Sequence, residues 1–144
     1  MYLLICVVFG IVLIALVLAL HNRLRSGSSS LMQAATTFGL IWVGLVIASG
    51  MIANIGPATI VDLYATDPSQ ATTTWLAINP VVEGLGGGNE VVGGIWTVLV
   101  SVAALRAGIL HRVLNYFGVI VGMAGILSAI PALCEIGGGI FGLT

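Results

Sequence analysis

Lysine is absent from this chain, and charge of either sign is scarce: 6% of its 144 residues are charged and 59% are hydrophobic. A soluble domain of this size carries roughly a quarter of its residues as charges to keep its surface wet. Too little polar surface exists here to cover a globule, so lipid must act as solvent for much of the molecule. The only cations are four arginines, with no basic run among them. That excludes nucleic-acid binding, which needs clustered cations to displace counterions. Cysteine is nearly missing as well. Cys6 and Cys134 have no metal-type spacing, and buried free thiols are expected rather than a disulfide. Catalytic patterns are lacking too: no His-Glu-x-x-His and no Gly-x-Ser-x-Gly occurs. No metal, no cofactor and no enzymatic activity are therefore expected.

Long apolar runs fill the space left. Residues 1–20 carry no charge, and about 20 residues at about 1.5 Å each match a hydrocarbon core of about 30 Å. A signal peptide would need a basic start and a shorter core, so this is a first span. Residues 31–55 form a second span, which Gly56-Pro57 is expected to end, because proline disfavours helical geometry in the residue before it. Residues 56–88 are the least lipid-like. Asp67-Pro68 reads there as an N-cap followed by proline at the first helical position, predicting a short outer-face helix over 68–78. Gly84 to Gly88 reads as a flexible break. A third span over 89–105 starts with Asn89 as cap and Glu90 in the first turn. A fourth runs over 113–133, and residues 137–144 resemble the stub of a fifth. The fold expected is all-α: a polytopic transmembrane helical bundle of four spans in one domain.

Small residues recur at helical spacing. Gly93, Thr97 and Ser101 on the third span, and Gly118, Gly122 and Gly125 on the fourth, form stripes where helices can approach closely. Charge is segregated. Arg23, Arg25, Arg106 and Arg112 fall in two short connectors, whereas Asp62, Asp67, Glu83, Glu90 and Glu135 fall at or near the opposite ends of the spans. Arginine in short loops marks the cytoplasmic side, which puts both termini outside. Phe38-Gly-Leu-Ile-Trp-Val-Gly44 echoes Phe117-Gly-Val-Ile-Val-Gly122, each after an arginine connector. Two hairpins of parallel topology would produce that echo, as would chance similarity between glycine-rich apolar helices.

Glu83, Glu90 and Glu135, with Asn54 and Asn89, form the one polar cluster that could carry chemistry. Carboxylates at membrane depth tend to face a cavity, a partner or a functional path. The plainer reading places them hydrated at helix ends. Gly84-Leu-Gly-Gly-Gly-Asn89 is no nucleotide loop, since no strand precedes it and no P-loop lysine follows. His21 and His111 lie at the arginine end, away from the acids, and are read as solvated interface residues.

Three stretches, Ala48 to Gly56, Gly84 to Trp96 (Gly-Leu-Gly-Gly-Gly-Asn-Glu-Val-Val-Gly-Gly-Ile-Trp) and Leu114 to Gly122, resemble a family of small bacterial integral membrane proteins of unknown function. The resemblance implies a bacterial plasma membrane and further helices at both ends, so that this chain would be a shortened version. It supplies no substrate or catalytic residue. The expected role is structural or interactive, with the lipid bilayer, a helix partner or a second copy as partners. The alternative is a small-solute or proton-coupled permease using the outer acid cluster.

Overall fold

The computed structural model describes residues 2–141 of the chain, and side chains over residues 4–129. Four helices follow one another: α1 (Tyr2–Leu24), α2 (Ser29–Tyr64), α3 (Pro68–Ala107) and α4 (Arg112–Phe141). No strand occurs among the described residues. Each helix is long and apolar enough to cross a membrane. The all-α bundle read from the composition is the architecture found.

Packing follows chain order. α2 lies against α1 and α3, α4 packs on α3, and α1 touches α3 only lightly. Both arginine connectors sit at one end of the bundle, where a Cβ on Gly27 would lie 3.0 Å from the Cα of Ala107. Leu24, Met32, Ala35, Ala103 and Ala104 form a buried cluster at that end. Farther along, Leu13, Val17, Val43 and Trp96 form a second one, with the Trp42 and Trp96 rings 5.5 Å apart. Outward faces stay apolar: Leu4, Val61 and Val113 are each more than two-thirds exposed, as lipid-facing positions are.

Local chemistry explains the ends of α3. The Asp67 carboxylate accepts from the backbone N–H of Ser69 and of Gln70, both at 3.0 Å, with Pro68 at the first helical position. The expected start at Asp67-Pro68 is found, but this helix does not stop at residue 78. At the other end Gly108 adopts φ 65° and donates to the Ala104 carbonyl, a left-handed cap that favours glycine.

Element boundaries differ from expectation between residues 56 and 88. α2 does not end at Gly56-Pro57 but continues through Pro57 to Tyr64. The clash that proline imposes on its predecessor is partly with that residue's Cβ, which Gly56 lacks. But α3 likewise runs through Asn79-Pro80, so the need to pair backbone groups outweighs the clash at both prolines. Gly84 to Gly88 is helix rather than a break. Glycine weakens a helix by about 1 kcal/mol in water, yet in an apolar medium unpaired backbone groups cost several kcal/mol each, and the helical pairing wins. The short outer-face helix and the third span are thus one helix of 40 residues. Residues 137–141, read as a stub, continue α4.

Helix length has a consequence. At about 1.5 Å per residue, α2 and α3 run about 54 and 60 Å, well beyond a hydrocarbon core of about 30 Å. α1 passes Gly50 about one turn from its start, where a Cβ on Gly50 would meet the Cβ of Cys6 at 2.5 Å. The α2–α3 hairpin therefore extends past the start of α1 and carries Asp62 and Asp67 at its tip.

Candidate functional site

Asn89 and Glu90 are neighbours in sequence, so on a helix they point about 100° apart. Each reaches a different neighbouring helix. The Asn89 amide donates from Nδ2 to Ser49 Oγ on α2 at 2.8 Å. Ser49 in turn donates to the Leu45 carbonyl at 2.7 Å, leaving its lone pairs for the amide. Glu90 Oε2 lies 2.6 Å from Ser128 Oγ on α4. That hydroxyl is also 2.8 Å from the Gly125 carbonyl, so two acceptors share one proton. α3 is thereby tied to both neighbours at one level by consecutive residues. Asn89 is consequently not a helix cap; it sits in the interior of α3, and Glu90 is not in a first turn.

One polar atom in this arrangement has no partner: Asn89 Oδ1 is buried and accepts nothing. Glu83, two turns before Glu90, is exposed and accepts from Asn79 Nδ2 at 2.9 Å within its own helix. Asn54 is exposed on α2. Glu135 lies outside the described side chains. The four described residues of the five read as a cluster thus resolve into a fastening pair, Asn89 and Glu90, an acid held within α3, Glu83, and an exposed amide, Asn54. No group of three or more His, Cys, Asp or Glu that could hold a metal occurs among the described residues.

Beneath the polar pair, α3 and α4 meet backbone to backbone. A Cβ on Gly94 would lie 2.6 Å from the Gly122 carbonyl oxygen, and a Cβ on Gly122 equally close to that of Gly94. Around them, Gly125 faces the Glu90 carbonyl, Gly118 faces the buried Ser101 hydroxyl, and the Trp42 indole covers Gly93. Thr97 donates to the Gly93 carbonyl at 2.8 Å.

A separate groove of about 420 Å³ opens between α2 and α3 nearer the hairpin tip, lined by Met51, Ile52, Ile55, Thr59, Ile78 and Val81 among others. No described acid lines it. At the arginine end, His21 is half-buried rather than free in solvent. Its Nδ1 lies 2.7 Å from Thr36 Oγ1, whose own proton goes to the Met32 carbonyl at 2.7 Å. The imidazole must therefore donate from Nδ1, which ties α1 to α2.

Sequence reasoning missed Ser49 and Ser128 as partners of the Asn-Glu pair. The one signal for them was their placement at matching points after Phe38-Gly39 and Phe117-Gly118.

A family model described as a domain of unknown function (DUF4386) matches residues 1–138. The chain belongs to that family. The Gly-Gly-Asn-Glu stretch that carries the clamp lies inside the region of DUF4386 likeness. No curated protein and no solved structure matches the chain.

Proposed function

We propose that this DUF4386 chain is a structural or interaction module of a membrane, and that its conspicuous acid is a fastener rather than a transport group. The observation that carries this reading is the divergence of Asn89 and Glu90 onto α2 and α4. A permease site needs its acids to converge on a path. Here Glu83 is held by Asn79 on its own helix, and no described acid lines the groove. In this reading the chain is not an enzyme. It sits in a bacterial plasma membrane with its arginine connectors in the cytoplasm, following the inner bias of basic residues. Close glycine contacts then hold α3 and α4 together where no hydrophobic effect can.

The permease reading keeps one observation in its favour, the unpartnered Asn89 Oδ1 beside Glu90. Two variants separate the readings. In Glu90→Gln the new amide donates to Ser128 Oγ and frees its proton for Gly125, so the fastening survives. In Glu90→Ala it is lost. The module reading expects Glu90→Gln to unfold in detergent within about 0.5 kcal/mol of the parent. Glu90→Ala should lose about 0.5–1.5 kcal/mol, the worth of one such hydrogen bond. Solute or proton uptake into proteoliposomes that Glu90→Gln abolishes would establish the permease instead.

A further inference from the structure

The contacts within the two hairpins repeat with fixed offsets. Adding 84 to a position on α1, and 79 to a position on α2, gives positions on α3 and α4. Gly10 packs on Ile47 and Val43; Gly94 packs on Ile126 and Gly122. Gly39 packs on Val17; Gly118 packs on Ser101. These pairs of the first hairpin map onto pairs of the second with those two numbers, whereas Cys6 on Gly50 has its analogue one turn away, where Glu90 faces Gly125. The same register aligns Leu31, Phe38, Gly39, Ile41, Ile47 and Ser49 with Leu110, Phe117, Gly118, Ile120, Ile126 and Ser128, residue type for residue type. The offset of 79 is fixed independently by those residue identities, which favours a repeat over chance likeness of apolar helices. The two arginine connectors, residues 25–28 and 108–111, are equally long, so the five-residue difference falls in the helix ends that flank them.

Two equivalent hairpins joined through α2 and α3 leave one copy of each joining face unused. On α2 that face includes Ala35, Trp42 and Ser49; on α3 it includes Gly93, Trp96 and Val100. Their unpartnered counterparts are Leu114 and Val121 on α4, and Phe9, Val12 and Leu16 on α1; Ser128, the counterpart of Ser49, is already bonded to Glu90. All five are exposed, Val12 at 60% and Leu114 at 56%. Phe9 meets Trp42 only edge-on. α1 runs parallel to α3 and α2 parallel to α4, because successive helices alternate in direction. An α4–α1 contact between two chains therefore reproduces the α2–α3 contact with both chains inserted the same way round, as a membrane requires.

We propose that a second copy of this chain docks head-to-tail, the α4 face of one copy seated on the α1 face of the next in the register of the α2–α3 interface. The contact is heterologous and closes into a ring if its rotation permits. This deepens the interaction reading by naming the partner, and it does not depend on Glu90.

Inter-chain cross-linking in membranes tests it. In a Cys6→Ala, Cys134→Ala background, one chain carries Phe9→Cys and a differently tagged chain carries Val121→Cys, the counterparts of Gly93 and Trp42. Mild oxidation should give a dimer joining both tags. It should give several-fold less with either chain alone, or with the control pair Ile11→Cys and Ile120→Cys. No mixed dimer, equal yield from the control pair, or cross-linking of Phe9→Cys to a different membrane protein would overturn the proposal. None of those outcomes alters the comparison of Glu90→Gln with Glu90→Ala.

Discussion

At the scale of single residues, the glycines divide by what surrounds them. Gly94 and Gly122 each face the other's carbonyl at a distance no Cβ tolerates, whereas Gly84 and Gly86 have open space around them. Gly94→Ala and Gly122→Ala should each lose about 1–3 kcal/mol, as overpacking against rigid backbone does. Gly84→Ala and Gly86→Ala should gain about 0.5–1 kcal/mol from helix propensity. Thermal unfolding in detergent reads all four, and equal effects at Gly86 and Gly94 would contradict the packing described. Asn89 shows where that stops. An Asn-Glu pair ahead of an apolar run looks like a helix start, and nothing local to it reveals a serine 40 residues away.

At the scale of elements, legibility depended on whether a rule's physical basis was present. Asp67-Pro68 announces a helix start, and the carboxylate caps two backbone donors. Asp67→Ala should cost about 1 kcal/mol. Gly108→Ala, which forces a side chain into a left-handed position, should cost about as much. Amide exchange along α3 checks both, with protection lost first at the end that carries the substitution. Gly56-Pro57 misled for a definable reason. The proline rule is a preference of chains in water, and α2 and α3 both run on through their prolines, Pro57 after Gly56 and Pro80 after Asn79. Pro57 still leaves the Ala53 carbonyl without its helical donor. Pro57→Ala should therefore stabilise α2, by up to about 3 kcal/mol, where an ordinary helix end at that point would make it neutral. The glycine run at 84–88 misled in the same direction, through a propensity measured in water.

At the scale of the whole molecule, hydropathy and arginine placement carried the architecture. Four spans and one arginine end follow from composition and alternation, and the structure brings Gly27 onto Ala107 at that end. A cysteine placed at Asp67 should react with an impermeant reagent from outside intact cells, while one at Arg23 should react only after permeabilisation. The reverse pattern would invert the proposed topology. What composition could not supply is the way the bundle is fastened, because that rests on pairs from distant parts of the chain. α3 is the central helix, and Asn89 and Glu90 bind it to opposite neighbours. Two double-mutant cycles on unfolding in detergent test this most directly, one over Asn89 and Ser49 and one over Glu90 and Ser128, each residue replaced by alanine. The clamp predicts a coupling of about 0.5–1.5 kcal/mol within each pair and additivity between Asn89 and Glu90. Additivity within both pairs, or strong coupling between Asn89 and Glu90 alone, would contradict it.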